Sequence, residues 1–112
     1  MAFIAKHRFA RIAPRKARRL MDLIRGRDVD DAMSLLKFSK QRASGMIEMV
    51  VRSAVANAVE QEVQSRNALF IKKCWADPGP TIKRFMPKDR GKSYAIMKRT
   101  SHLIVELDER AA

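Results

Sequence analysis

Hydrophobic and polar positions change rhythm several times along the chain. Residues 3–11 alternate, with Phe3, Ala5, His7, Phe9 and Arg11 on one side and Ile4, Lys6, Arg8 and Ala10 on the other. Alternation with aromatic and β-branched residues predicts a short strand, suited to a sheet edge. Pro14 follows, and its fixed φ fits the first turn of a helix. Ala17, Leu20, Met21 and Ile24 then recur at helical spacing, and Gly26 marks a stop. Asp28, Asp30 and Asp31 open a second helical stretch, where carboxylates meet the positive end of the helix. Its apolar positions are Ala32, Met33, Leu35 and Leu36. Ser39 is placed to cap a third, longer helix. There Ala43, Ile47, Val50, Ala54 and Ala58 form a stripe that Met46, Val51 and Val55 widen, which predicts a central position. Gly45 weakens that helix, and close packing against a neighbour is the expected reason.

Residues 68–76 read as a strand whose register the alternation leaves open, with Leu69, Ile71 and Cys74 as apolar markers. Residues 102–107 alternate cleanly, Leu103, Val105 and Leu107 against His102, Ile104 and Glu106. Between these strands runs Asp77–Ser101, with three prolines and two glycines. So long a connection is functional or disordered more often than not. One reading is a solvated basic loop. The other pairs 72–86 with 93–105 as a hairpin arm with Pro87–Lys92 near its tip, and Phe85, Met86, Tyr94, Ile96 and Met97 favour the arm. The predicted fold is α+β: three helices packed on a small three-stranded antiparallel sheet, with one long extended β-hairpin. Residues 1–112 read as one domain, of which about 77–101 is the arm.

Composition sharpens this. The 112 residues include 24 Lys or Arg and 12 Asp or Glu, a net charge of +12. A 46% hydrophobic fraction excludes a disordered basic tail, so a folded domain with a large positive field is expected, and a polyanion is its natural partner. The charge is segmental: net +8 in residues 1–27, −1 in 28–71, +7 in 72–100 and −2 in 101–112. Two basic blocks around a near-neutral scaffold suggest two polyanion-binding surfaces. No apolar run approaches the ~18 residues of a membrane span, and the N-terminus lacks a signal-peptide core, so a cytosolic protein without a membrane partner is expected.

Catalytic chemistry finds little support. Phosphate-loop and dinucleotide glycine motifs are absent. His7, His102 and Cys74 have no zinc-ligand spacing, so neither metal nor cofactor is expected. A histidine could act as the base of a nuclease, but no metal-binding carboxylates accompany it; His7 and His102 are read as RNA-binding or core hydrogen-bonding groups. Cys74 is read as a small buried hydrophobe. Trp75 is read as a core anchor, with a stacking platform as the alternative. Met21, Met33, Met46 and Met49 are assigned to core or near-core packing, whereas Met86 and Met97 have burial in a partner as an alternative.

Ordered strings carry more than composition does. Ile4-Ala5-Lys6-His7-Arg8-Phe9-Ala10-Arg11 resembles the opening of the bacterial-type large-subunit ribosomal protein twenty-two family, as does Pro14-Arg15-Lys16-Ala17-Arg18 leading to Asp22-Leu23-Ile24-Arg25-Gly26. Ser53-Ala54-Val55-Ala56-Asn57-Ala58 is similar to its central-helix signature. Gly79-Pro80, Lys83-Arg84, Met86-Pro87, Arg90-Gly91 and Lys98-Arg99-Thr100-Ser101-His102 fall where its hairpin motifs stand. The chain departs from the pattern at Ala13, Pro78, Lys88, Asp89 and Lys92, and a lysine in place of arginine keeps charge but loses the bidentate fork.

The resemblance implies a structural constituent of the cytoplasmic large ribosomal subunit, not an enzyme. It implies binding to 23S rRNA, a part in subunit assembly, and a hairpin lining the nascent-peptide exit tunnel. The implied partners are 23S rRNA, the nascent peptide and neighbouring ribosomal proteins, including protein four at the tunnel constriction, with no obligate homo-oligomer. Expected rRNA-binding residues are Lys6, His7, Arg8, Arg11, Arg15, Lys16, Arg18, Arg19 and Arg25 in the first block. In the second they are Lys83, Arg84, Lys88, Arg90, Lys92, Lys98, Arg99, Thr100, Ser101 and His102. Ile82, Lys83, Arg84, Phe85, Met86, Pro87, Lys88, Asp89, Arg90 and Gly91 are the expected tunnel-lining residues. The competing class is a DNA-architectural histone-like protein with a basic β-arm and Met86-Pro87 as its wedge. Such proteins act as tight dimers, so a gel-filtration mass separates the two readings.

Overall fold

A computed structural model describes residues 3–61, 68–88 and 92–109, with the side chains at 84–88 and 92–96 outside the description. Among these residues the order is β1 (Phe3–Ala10), α1 (Pro14–Ile24), α2 (Val29–Phe38), α3 (Arg42–Glu60), β2 (Leu69–Pro78), β3 (Ile82–Lys88), β4 (Lys92–Lys98) and β5 (Ser101–Glu109). β5 runs between β1 and β2 in an antiparallel sheet, and β3 pairs with β4 alone. The helices cover one face of the three-stranded sheet, α3 against β1 and β5, α1 against β2, and α2 packed on α3. This is the expected α+β arrangement.

Local signals account for most of the elements. Ala13 is extended and Pro14 starts α1, whose missing N–H has no helical partner to lose. Pro14, Ala17, Leu20, Met21 and Ile24 are its buried positions. Gly26 ends it at φ +82°, a conformation open to glycine without steric cost. The turn is then pinned to β2, since Gly26 N–H donates to the Ile71 oxygen (2.8 Å) and Ile71 N–H to the Arg27 oxygen (2.9 Å). Asp30 and Asp31 do occupy the first turn of α2. Ser39, however, closes α2 instead of opening α3: its N–H bonds the Leu35 and Leu36 oxygens, and α3 starts after Gln41. The α3 stripe of Ala43, Ile47, Val50, Ala54 and Ala58 is buried as the periodicity requires. Gly45 is exposed, and a Cβ there would meet nothing within 4 Å. Close packing therefore does not account for it, and nothing else in the structure explains that glycine.

Two strands change face part-way. In β1, His7 pairs with Leu103 but Ala10 with Ser101, so Arg8 and Phe9 together oppose His102. The extra residue turns the odd-numbered side outward after His7. Phe9 is 53% exposed and Ala10 1%, the reverse of simple alternation. In β2 the shift lies between Ile71 and Lys73, which settles the open register: Leu69 and Ile71 face inward, then Cys74 and Ala76. Trp75 is therefore on the open face, 38% exposed, with its indole N–H on Asp77 Oδ2 (3.1 Å), and it is not a core anchor. Its cross-strand neighbour Ile104 is buried on that face, between Trp75 and Lys6 in register. Met21 is fully buried, whereas Met49, at 66% exposed, faces away from the α3 stripe.

The β2–β5 ladder runs to Pro78 opposite Ser101 and resumes as β3–β4 at Ile82 opposite Lys98. Three residues, 79–81, face two, 99–100, so the long pairing foreseen from sequence is split by one extra residue. Pro80 has no N–H to give to a continuous ladder. Gly79 N–H donates to the Thr100 oxygen (2.8 Å), and Thr100 Oγ1 donates to the Pro80 oxygen (2.6 Å). The Ser101 hydroxyl donates to the Ile12 oxygen, which ties the turn after β1 to the same place. Beyond this root the ribbon projects. The radius of gyration is 17.1 Å, against about 13 Å for a compact chain of this length, and the longest extent is 67 Å.

Two outcomes follow from the packing. A Cβ on Gly79 would lie 2.5 Å from Thr100 Oγ1 and 3.3 Å from the Thr100 carbonyl carbon. Gly79→Ala is expected to lower stability by about 1–3 kcal/mol in urea melts, and by less in a Thr100→Ala background; additive losses would contradict the clash. The Cys74 thiol is buried against α1 and donates to the Met21 oxygen (3.2 Å). Burial pushes it up from its ordinary value of 9.0 to about 11, although nearby Arg25 pulls the other way. The unfolded thiol therefore ionises first. Its contribution is complete below pH 9.0 and disappears as pH rises through about 11. Over that interval the parent should lose stability more steeply than Cys74→Ala, whereas parallel curves would contradict this.

Candidate nucleic-acid interface

Amphipathic geometry places the first basic block. With Ala17, Leu20, Met21 and Ile24 turned to the core, Arg15, Lys16, Arg18 and Arg19 occupy the outer surface of α1. Lys6 and Arg8 stand on the open face of β1, and Arg11 is exposed in the turn that follows. His7 is half-buried opposite Leu103. Two of these cations are also structural. Arg18 forks onto the Ala76 oxygen through Nε (3.1 Å) and Nη2 (2.9 Å). Arg25 reaches the Cys74 oxygen (2.7 Å) and Asp22 Oδ1 (2.8 Å). Both clip α1 to β2, and the charge they present to solvent is held in a fixed place.

The second block meets the first at the hairpin root. A cleft of about 470 Å³ on one side is lined by Arg11 and Lys16 from the first block, Lys98 and Arg99 from the second, and Arg42 from the start of α3. Another, of about 530 Å³, brings Arg15 and Arg18 to Gly79, Thr81 and Arg99. The two blocks are thus one continuous basic surface at the root, where sequence suggested two. Segment arithmetic hid Arg42 within the near-neutral middle, because acidic residues elsewhere in that segment cancel it. At ε ≈ 80 each cation alone is worth about 1 kcal/mol to a phosphate at 4 Å, so convergence of several is what makes a phosphate site.

The remaining expected residues divide. Lys83 and Lys98 are exposed near the base of the ribbon, and Ile82 is half-buried. Met97 is exposed on β4. Thr100 and Ser101 are buried, with their hydroxyls on the Pro80 and Ile12 oxygens, so they shape the root rather than face a partner. His102 is half-buried and accepts the Phe9 N–H at Nδ1 (3.1 Å). Asp89, Arg90 and Gly91 lie outside the described residues, as do the side chains of Arg84, Phe85, Met86, Pro87, Lys88 and Lys92. Among the described residues no group of three or more His, Cys, Asp and Glu is placed to hold a metal ion.

A roomier cleft, about 970 Å³, lies between α2 and α3. It is lined by Met33, Val55 and Val59, with Asp30 and Glu60 balanced by Lys37 and Arg52. That balance removes any preference for a polyanion and leaves the root and outer α1 surface as the candidate interface.

The family described as ribosomal protein L22p/L17e matches residues 5–108, from within β1 to near the end of β5. A large ribosomal subunit protein uL22 from Pelotomaculum thermopropionicum is 45% identical over 103 residues, covering 92% of this chain and 91% of the relative. The matched span holds both basic blocks, the scaffold between them and the whole ribbon. With the sheet and helices accounted for and the likeness running nearly end to end, the chain belongs to the ribosomal protein L22p/L17e family of large-ribosomal-subunit components.

Proposed function

We propose that the chain is a structural, non-catalytic rRNA-binding component of the large subunit, cytoplasmic in a bacterial cell. Its α1 and root surface seats the helices and sheet on 23S rRNA, and its hairpin passes inward to line the nascent-peptide tunnel. The single observation that carries this reading is the convergence of two basic blocks at the root of a ribbon that projects from the fold. Cations there neutralise phosphates from separate stretches of RNA, and each neutralised phosphate releases counterions. Recognition is of folded RNA shape, since the narrow major groove of an RNA helix hides its base edges from side chains. Near the tip the ribbon meets the nascent peptide and ribosomal protein four.

The ribbon also bears on assembly. A two-stranded hairpin standing alone is marginal in water. Surrounding RNA supplies the missing burial and charge partners, so ordering of the arm is coupled to subunit folding. Residues 80–98 carry six Lys or Arg and one Asp.

In filter-binding titrations against a 23S rRNA fragment over a range of salt, removal of residues 80–98 is expected to weaken binding and flatten the log–log salt slope by up to about 5. Arg42→Ala should flatten it by about 1 and leave the melting temperature unchanged. Equal affinities and slopes for the intact and shortened chains would remove the arm from RNA binding. For the tunnel, a stalled nascent chain carrying a photoreactive residue is expected to cross-link within residues 82–91 of this protein on the assembled ribosome. Cross-links confined to α1 or α2 would contradict that placement.

A further inference from the structure

The bulge in β1 leaves a feature that the charge argument does not use. Arg8 and Phe9 share the place opposite His102, and Phe9 adopts φ 58°. This is the left-handed region, sterically disfavoured for a bulky side chain and readily taken by glycine. Among the described residues no other non-glycine adopts it. Regular alternation would have sent Phe9 inward after Phe3, Ala5 and His7. Instead the core receives the methyl group of Ala10, and a large aromatic ring stands in solvent. Backbone strain and lost burial both oppose folding, so the ring's position is not explained by stability. Strain of this sort gathers where a side chain is held for a ligand.

The ring is also held in place. The Phe9 N–H donates to His102 Nδ1 (3.1 Å). The two rings meet edge-to-face, with centroids 4.9 Å apart and planes at 83°. The Arg8 guanidinium carbon lies 5.2 Å from the Phe9 centroid. Because Nδ1 accepts, the neutral imidazole carries its proton on Nε2, a donor available to a base edge or phosphate. A π-surface and the Arg8 cation over it, both from β1, are thus set together with an N–H donor from β5, close to Lys6.

We infer that Arg8, Phe9 and His102 form a stacking platform for one unpaired nucleobase of the bound RNA, an inference that rests on the rRNA-binding reading above. Every base has a π-face, and stacking on an aromatic side chain adds affinity without charge. An unpaired base reaches such a ring where a paired one does not, so the platform selects a bulge or loop in the RNA and sets the register of β1 on it.

The test uses the full chain with 23S rRNA. Phe9→Gly removes the ring and suits φ 58°, so its melting temperature should equal or exceed the parent's. It should bind about 5- to 100-fold more weakly at every salt concentration, with the salt slope unchanged. Phe9→Tyr should retain most of the affinity, and Arg8→Ala should flatten the slope by about 1. In subunits irradiated after reconstitution, the peptide containing Phe9 should carry a nucleotide. Parent-like binding by Phe9→Gly, with a steep slope, overturns the platform and leaves RNA binding standing. A Phe9 cross-link to a neighbouring protein also overturns the platform. Absence of salt-dependent binding by the parent overturns the RNA-binding reading itself.

Discussion

β5 is hydrogen-bonded along both edges, buried on its helix-facing side and buried at Ile104 on the other. Leu103, Val105 and Leu107 lie under the helices, and Ile104 is covered on the open side by its cross-strand neighbours. Removing a single buried leucine from such a strand ordinarily costs about 2–5 kcal/mol. Everything concerned with binding is referred to this strand. Its first residue, Ser101, anchors the turn after β1, and the preceding Thr100 fixes Gly79 and Pro80 on the opposite side. The direction in which the ribbon leaves, and the side on which the first basic block meets it, are both set at that one end.

Irregularities in the ladders decide what the strands present. One extra residue in β1 brings Phe9 out and Ala10 in. One in β2 lets Leu69 and Ile71, then Cys74 and Ala76, reach the same core despite opposite parity. One at the root interrupts the long ladder beside Pro80. Each adds local twist and re-aims the strand beyond it. The apolar core absorbs none of the charge. Arg18 and Arg25 reach back to β2 carbonyl oxygens, so the basic helix is oriented by the same groups that give it its field.

The helices were the most legible part of the chain. A helix turns by a fixed angle per residue, so the α1 and α3 stripes can be read without knowing what they pack against. Pro14 and Gly26 act through their own backbone preferences and mark the ends of α1 for the same reason. Strand face is different. One unpaired residue reverses it, and whether a residue goes unpaired depends on the partner strand. Alternation groups Phe9 with Phe3 and Ala5, and Trp75 reads as a core anchor in a strand of open register, yet both stand outside in the fold. Ser39 had the chemistry of an N-cap, but the last turn of α2 reached it first.

By itself the sequence determined the α+β class, the segmental charge, the hairpin and the family, because propensity, periodicity, composition and ordered motifs are all properties of the chain read in order. Only the tertiary structure decided which charges act together. Arg42 joins the root from a segment of net −1, separated from Lys98 and Arg99 by more than fifty residues. Thr100 and Ser101, polar in sequence, turn inward to carbonyl oxygens. The physical reason is the same in each case: electrostatic convergence and hydrogen-bond satisfaction are set by distances through space, and those exist only once β5 has brought β1 and β2 together.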